Sequence, residues 1–346
     1  MSSDTDPIID PGTSGTTPVE HATDARTPLL EIDDLRVGVK GDNVAYDIVR
    51  GVSLSLYDNE ILAVVGESGC GKSLTALSVL ALHQSPPLHI TGGAIRYRGV
   101  DLTTLSAAEM RALRGAEISM IFQDPMSALD PMFTVGSLLT SAVRAHRKAS
   151  KAEARNAALE ALADAGIEDP RRRFDEYPFQ LSGGVSQRVM IALALVNDPS
   201  VIIADEPTTA LDVTVQAQIL ERLRMLKEER KMGIMLITHN LGVVAAVADR
   251  TAVMYLGEVV ETGSAQDVLA VPHHPYTNGL LAAVPRLNSK VADLKPVMGR
   301  VPQPQEITAG CAFRDRCERA LDRCATEHPV LAPRHRTSVR CHNPVD

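Results

Sequence analysis

A glycine-rich loop between an apolar strand and an apolar helix constrains this chain more than any other feature. The loop has the complete pattern G-x-x-x-x-G-K-S, and it reads Gly66-Glu67-Ser68-Gly69-Cys70-Gly71-Lys72-Ser73. It follows the apolar run 61–65 directly and precedes the apolar helical run 74–82. Glycines let a backbone wrap around phosphate with its N–H groups pointing inward, and the next helix adds its positive N-terminal end. We therefore predict a nucleotide phosphate site here, with Gly66, Ser68, Gly69 and Gly71 forming the cradle. Lys72 should reach the β- and γ-phosphates and the Ser73 hydroxyl should bind Mg²⁺.

The hydrophobic pattern of the rest of the chain predicts an α/β fold with a parallel sheet. Unbroken apolar runs at 61–65, 201–204 and 234–237 are typical of central parallel strands that are covered on both faces. The runs 29–32 and 51–56 alternate apolar and polar residues, as half-buried strands do. Segments rich in Ala and Glu lie between the strands, notably 151–165 and 214–230, and they predict helices.

Composition excludes several classes of protein. The 346 residues predict about two domains, or one large domain with an appendage. The chain has 35 Lys and Arg against 43 Asp and Glu, which gives a net charge of −8. This balance argues against the basic surface that a nucleic-acid-binding protein needs, so no nucleic-acid partner is expected. No apolar stretch approaches the roughly 20 residues that cross a bilayer. Residues 1–28 carry little to bury and lack the features of a secretory signal, which predicts a disordered N-terminal tail.

Two adjacent acids end the apolar run 201–204. Neighbouring side chains on a strand point to opposite faces, so beyond the end of the strand the two acids can serve different purposes. We predict that Asp205 binds the water shell of Mg²⁺ and that Glu206 orients and deprotonates the water that attacks the γ-phosphate.

The segment Leu181-Ser182-Gly183-Gly184-Val185 resembles the signature motif of ABC ATPases. Ser182 and the two glycines open a predicted helix over about 184–196, which makes an N-terminal anion site. The resemblance implies that Ser182, Gly183 and Gly184 close over the ATP that a second subunit holds. Val185 stands where this family commonly has Gln, so no side-chain contact to the nucleotide is expected from that position.

Further family elements follow in the expected order. The resemblance identifies Gln123 as the Q-loop residue and a second Mg²⁺ ligand, Asp212 as the acid of the D-loop, and His239 as the switch histidine. It assigns Glu206, His239 and Gln123 to catalysis. An aromatic residue that stacks on adenine ends an early strand in similar proteins, and this chain has Val39 at that position. Tyr46 is the nearest aromatic candidate.

Longer runs narrow the resemblance to the ATP-binding subunits of bacterial dipeptide and oligopeptide importers. These runs are 121–131, 204–216, His274-Pro275-Tyr276-Thr277, and the pattern Cys-x-Phe-x-x-Arg-Cys at 311–317. The resemblance implies an ATPase at the cytoplasmic face of the plasma membrane, peripheral to it. Its expected partners are a second homologous ATPase subunit, two transmembrane permease subunits and an extracytoplasmic peptide-binding protein. A related but different ATPase, which would make the pair a heterodimer, is favoured over a second copy of this chain. A nickel or other small-solute importer, or a soluble ABC ATPase without a membrane partner, remains an alternative.

The resemblance also divides the chain. It implies an ABC-type nucleotide-binding domain over 29–270, with a RecA-like parallel core, an antiparallel β subdomain and a helical subdomain at about 125–195. A Cys-rich C-terminal extension over 271–346 follows.

Four of the five cysteines lie near the C-terminus, with the spacing Cys-x5-Cys-x6-Cys-x16-Cys, at Cys311, Cys317, Cys324 and Cys341. In a reducing compartment such a cluster is more often a metal site than a set of disulfides. Four thiolates suit either iron–sulfur or zinc. Some of the peptide-importer ATPases that this chain resembles bind a [4Fe–4S] cluster, so we expect that cluster here, with Zn²⁺ as the alternative. Cys70 lies in the phosphate loop and is expected to stay outside the site.

Overall fold

The fold is built on two β-sheets with helices packed around them. The computed structural model describes residues 26–40, 45–209, 211–284, 297–306 and 309–346. Most of the predicted N-terminal tail therefore lies outside the described residues. Leu29 is already buried, and the first strand begins at Leu30.

The larger sheet has eight strands in the order β11-β12-β10-β9-β3-β8-β7-β6 among the described residues. Strands β6, β7, β8, β3 and β9 run parallel, whereas β10 pairs with β9, and β12 with β10, in the antiparallel sense. The central strands are buried along their whole length, which confirms the α/β fold predicted from the unbroken apolar runs. The eight strands are β3 (Ile61–Val65), β6 (Ile118–Ile121), β7 (Val201–Asp205), β8 (Gly233–Thr238), β9 (Arg250–Tyr255), β10 (Glu258–Ser264), β11 (Ala332–Arg334) and β12 (Thr337–Val339).

The smaller sheet is antiparallel and covers one face of the larger one. Its order is β2-β1-β4-β5. The alternating patterns that predicted half-buried strands at 29–32 and 51–56 lie in β1 and β2. The four strands are β1 (Leu30–Lys40), β2 (Ala45–Leu56), β4 (Leu88–Tyr97) and β5 (Val100–Asp101).

Helices cover both faces of the larger sheet, on one of them together with the smaller sheet. They are α1 (Lys72–Val79), α2 (Ala107–Leu113), α3 (Pro125–Ala128), α4 (Val135–His146), α5 (Lys151–Asp164), α6 (Pro170–Phe174), α7 (Gly183–Leu195), α8 (Val213–Arg230), α9 (Leu241–Val247), α10 (Ala265–Ala270) and α11 (Pro275–Ala282). No helix within the described ranges is both long enough and apolar enough to cross a bilayer.

Alternation along the strands separates the core into two layers. In β7, Ile202 packs with helices α4 to α8, whereas Ile203 packs with α1 and the smaller sheet. Both side chains are fully buried. Because both faces are covered, the ends of the strands are where polar side chains can reach a ligand.

The C-terminal part of the chain joins this core. The hairpin of β11 and β12 extends the larger sheet beyond β10. Phe313 packs against two buried tyrosines, with ring centroids 5.1 Å from Tyr255 and 5.4 Å from Tyr276. The residues after 271 therefore share a hydrophobic cluster with strands β3 and β9.

Candidate active site

The phosphate loop has a fixed backbone path between β3 and α1. Gly71 has a φ of +98° and is the N-cap residue of α1. Gly66 has a φ of +156°, and a Cβ added there would lie 2.2 Å from the carbonyl oxygen of Met254. Both positions therefore require glycine, since a side chain would strain the backbone or clash with β9.

Lys72 lies folded back over its own loop. Its Nζ donates to the carbonyl oxygens of Gly66 at 2.8 Å and Glu67 at 2.9 Å, and its side chain is buried. The thiol of Cys70 is 3.7 Å from the same nitrogen. Burial raises the pKa of Cys70 despite the nearby charge of Lys72, so this cysteine remains a small neutral thiol.

Ser73 and Asp205 face each other across the end of the sheet. The Ser73 hydroxyl donates to Oδ1 of Asp205 at 3.1 Å. Burial raises the pKa of Asp205, the hydrogen bond from Ser73 opposes this effect, and the charge of Glu206 adds to it. Hydroxyl and carboxylate oxygens are ligands that Mg²⁺ prefers, so this pair fits the predicted metal position.

Glu206 lies at the centre of a hydrogen-bonded group. Its Oε1 is 3.0 Å from Nδ1 of His239, and its Oε2 accepts from Nε2 of Gln123 at 3.1 Å and from the Thr209 hydroxyl at 2.9 Å. The backbone of Glu206 has a φ of +46°, and its N–H donates to the carbonyl of Ile237 on β8. A non-glycine residue in the left-handed region is uncommon and is frequent at functional sites.

The environment of Glu206 keeps it ionised. Partial burial acts to raise its pKa, but hydrogen bonds from His239 and Thr209 and the charges of His239 and Lys72 outweigh burial and lower it. At neutral pH this group is a carboxylate, which is the form that can accept a proton.

The phosphate loop, Gln123 and Glu206 border a cavity of about 410 Å³, a size that suits a small ligand. The residues that line it are Ile48, Ser68, Gly69, Gly71, Lys72, Ser73, Leu74, Gln123 and Glu206. Tyr46, the predicted adenine-stacking residue, is not among them. It lies near the start of β2, and Ile48, two residues further along that strand, lines the cavity instead.

The signature segment lies apart from this cavity, on the surface. Ser182 and Gly183 are exposed at the start of α7, and the Ser182 side chain makes no capping hydrogen bond. A Cβ added at Gly184 would lie 3.1 Å from Val215 on α8. Asp212 is the N-cap of that helix, and its side chain accepts from the N–H of Val215 at 2.9 Å. Ala210, two residues before Asp212, lies outside the described residues.

Sequence reasoning did not identify Thr209 or Ile48. Thr209 stands three residues after Glu206, and a hydroxyl at this spacing from an acid is a recognisable turn signal. Ile48 carries no chemical signal, since it contributes only apolar surface.

The four C-terminal cysteines lie near one another. Burial raises the pKa of Cys311 to about 11, and the charges of Cys324, Cys341 and Cys317 act in the same direction. Backbone N–H groups donate to the sulfur of Cys324 at 3.4 Å, from Leu321, and to that of Cys341 at 3.3 Å, from Asn343. Within the described ranges, however, no three His, Cys, Asp or Glu side chains are arranged as metal ligands. The side-chain geometry therefore does not support the predicted cluster, although the chemistry of four thiols suits it.

Two family models match this chain. The ABC transporter model matches residues 49–209, which include the phosphate loop, the signature segment and both acids at the end of β7. The model for the oligopeptide/dipeptide transporter C-terminal region matches residues 260–324. The two matches together span most of the described fold.

Curated relatives match along nearly the whole chain. The dipeptide transport ATP-binding protein DppD of Bacillus subtilis is 48% identical over 301 residues, which are 87% of this chain and 90% of the relative. The protein of the same name from Escherichia coli is 43% identical over 92% of this chain and 97% of the relative. The oligopeptide transport ATP-binding protein AppD of Bacillus subtilis is 43% identical over 90% of this chain and 96% of the relative.

Solved structures match the ATPase part of the fold. A bacterial ABC transporter cassette, solved as a dimer, is 29% identical with a TM-score of 0.61, and the match covers 68% of this chain and 98% of the cassette. A second structure of that cassette, also dimeric, is in a post-hydrolysis state bound to ADP and Pi, with the same identity and TM-score. The phosphate loop and the side chains grouped around Glu206 are those of an ABC ATPase, and the curated relatives are similar over about nine-tenths of the chain. The chain therefore belongs to the family of ABC transporter ATP-binding proteins.

Proposed function

We propose that this chain hydrolyses ATP to drive the import of dipeptides or oligopeptides through an ABC transporter. The observation that carries the proposal is the contact of Glu206 with Gln123 and His239 at the edge of the cavity that the phosphate loop lines. The named relatives and the match to the C-terminal region of peptide transporters support peptide as the cargo.

Each residue of the site has a role in this proposal. The cradle of Gly66, Ser68, Gly69 and Gly71 and the charge of Lys72 hold the phosphates, which requires Lys72 to leave the loop carbonyls that it now contacts. Ser73, Asp205 and Gln123 would hold Mg²⁺, which supplies positive charge to the phosphate oxygens. Glu206 accepts a proton from the attacking water, and its contacts with Gln123, Thr209 and His239 fix its orientation.

The exposed signature segment supports a composite site made by two subunits. Ser182, Gly183 and Gly184 lie outside the cavity of their own chain, so they are available to the ATP of a partner. Asp212 would lie at the same interface between the two subunits, because it begins the turn before Val215, the residue nearest to Gly184. The dimeric form of the similar cassette structures supports this arrangement. Closure of the pair on ATP, and reopening after hydrolysis, would drive two transmembrane permease subunits at the cytoplasmic face of the membrane. An extracytoplasmic peptide-binding protein would deliver the cargo.

We expect this chain to co-purify with its membrane partners. Isolation of the tagged chain from its native membranes in mild detergent should recover two permease subunits and a second, different ATPase of this family, identified by mass spectrometry. Recovery of this chain as a pair of identical copies would show that the pair is a homodimer. Recovery of the soluble chain alone from membrane and soluble fractions would contradict the importer proposal.

We further propose that Cys311, Cys317, Cys324 and Cys341 bind a [4Fe–4S] cluster. The support is the family resemblance, the presence of four thiols within residues 311–341 and the backbone N–H groups that donate to the sulfurs of Cys324 and Cys341. Hydrogen bonds of this kind are common around iron–sulfur clusters. The cluster would stabilise the fold of the extension.

Anaerobic purification with metal and sulfide analysis should find about four iron and four sulfide per chain, as a [4Fe–4S] centre requires. Cys324→Ser should lose this iron, whereas Cys70→Ser should retain it, because Cys70 is buried in the phosphate loop. One zinc without sulfide would overturn the assignment in favour of the alternative metal. Four free thiols in the anaerobic protein would exclude both.

A further inference from the structure

A bidentate ion pair joins the phosphate loop to the C-terminal extension. Arg316 donates from Nη1 to Oε2 of Glu67 at 2.6 Å and from Nη2 to Oε1 at 3.0 Å. The Arg316 side chain is 5% exposed and that of Glu67 is 27% exposed, so solvent screens this pair far less than a surface pair. Glu67 is the second residue of the phosphate loop, and Arg316 is the arginine of the Cys-x-Phe-x-x-Arg-Cys pattern.

The rest of the extension holds Arg316 in place. Its Nε donates to the carbonyl of Met298 at 3.0 Å, and Nη2 also donates to the carbonyl of Val297 at 3.3 Å. The guanidinium lies over the rings of Tyr255, at 5.7 Å, and Phe313, at 5.9 Å. A planar guanidinium has several N–H donors in a fixed arrangement, which suits such a site. A lysine ammonium group could not make all of these hydrogen bonds at once.

A second contact from the C-terminal region reaches the same loop residue. The backbone N–H of Glu67 donates to the hydroxyl of Tyr276 at 2.9 Å. Tyr276 is fully buried, and burial raises the pKa of its phenol, so the group stays neutral. Glu67 is thus held through its backbone by Tyr276 and through its carboxylate by Arg316.

These contacts act on the part of the loop that holds Lys72. The carbonyl of Glu67 is one of the two oxygens that accept from the Lys72 ammonium group. In addition, the Glu67 carboxylate is a negative charge within a loop that must bind a polyanion, and the Arg316 guanidinium compensates for it. Loss of Arg316 would leave that carboxylate unpaired beside the phosphates of the nucleotide.

We propose that Arg316 is a positioning residue of the nucleotide site, which fixes the phosphate loop through Glu67 and neutralises its charge. The C-terminal extension is then part of the ATP-binding apparatus and not only an appendage of it. The inference rests on the proposed role of the phosphate loop in nucleotide binding.

The test measures KM for ATP and kcat for hydrolysis on the assembled transporter with variants of this chain. We expect Arg316→Gln to raise KM roughly tenfold, which corresponds to about 1.4 kcal/mol, with kcat within about threefold of wild type. Adding Glu67→Gln to this variant should recover most of the loss in KM, because it removes the uncompensated carboxylate. Arg300→Gln is the matched control, since Arg300 pairs with Glu306 on the exposed surface of the same extension, and its KM should equal that of wild type.

Several outcomes would overturn the proposal. Equal KM defects in Arg316→Gln and in the double variant would contradict the proposal that Arg316 acts by compensating the charge of the Glu67 carboxylate. If Arg316→Gln does not fold, Arg316→Lys tests the same contact, because lysine keeps the charge but cannot form the bidentate pair. A wild-type KM in Arg316→Lys would contradict the role of that pair. Lys72→Ala distinguishes a failure of this inference from a failure of the proposed nucleotide site. A wild-type KM in Arg316→Gln, together with loss of ATP binding in Lys72→Ala, would refute the role of Arg316 alone. Normal binding in Lys72→Ala would refute the proposed nucleotide site.

Discussion

Replacement of Lys72 by alanine is expected to abolish productive ATP binding. The ammonium group is the buried positive charge of the phosphate loop, and charge-assisted hydrogen bonds to phosphate are among the strongest that a side chain makes. We expect Kd for ATP to rise roughly 100-fold, about 2.7 kcal/mol, and hydrolysis to fall below detection. Equilibrium binding of a fluorescent ATP analogue to the full chain measures this change.

Lys151→Ala provides the matched control for that measurement. Lys151 is an exposed residue at the start of α5, and its removal changes the net charge by the same amount. ATP affinity should be unchanged in this variant. Wild-type affinity in Lys72→Ala would contradict the assignment of the phosphate loop.

Replacement of Glu206 by glutamine should leave ATP binding intact and stop turnover. Glutamine has nearly the same shape and retains an oxygen for one of the contacts with Gln123, Thr209 and His239, but it cannot accept a proton. Loss of a positioned base typically costs 10²- to 10⁴-fold in rate, about 3–5 kcal/mol. Steady-state phosphate release and ATP binding, measured on the same preparation, separate the two effects.

An exposed glutamate on α8 serves as the control. Glu228 pairs with Arg224 at the surface, and Glu228→Gln should retain wild-type turnover. Turnover within about threefold of wild type in Glu206→Gln would remove the catalytic assignment of this residue.

Local patterns were sufficient to predict the core of the fold. The unbroken apolar runs at 61–65, 201–204 and 234–237 became buried parallel strands because only strands covered on both faces can place every residue of such a run in the core. The predicted site residues each lie at or after the carboxyl end of a parallel strand, and these ends meet at one edge of the sheet. The residues brought together there are Ser73, Asp205, Gln123, Glu206 and His239.

Contacts between distant parts of the chain could not be predicted in this way. Arg316 and Glu67 are 249 residues apart, and no local pattern indicates that they meet. The strands 332–334 and 337–339 are three residues each, too short to show a periodic signal, so their addition to the sheet beyond β10 was not foreseen. Tyr46 is the aromatic residue nearest along the sequence to the expected stacking position, whereas Ile48 is the residue of β2 that lines the cavity.

The central claim is that ATP hydrolysis at Glu206 drives peptide import, and uptake into vesicles tests it most directly. The complete transporter would be reconstituted with ATP on the side that carries this subunit, and the uptake of a labelled dipeptide, a longer peptide and nickel ions would be measured together with phosphate release. We predict that the wild-type complex accumulates peptide with ATP hydrolysis and that the Glu206→Gln complex does neither. Peptide uptake at the wild-type rate by the Glu206→Gln complex, or ATP-driven uptake of nickel without peptide by the wild type, would contradict the account.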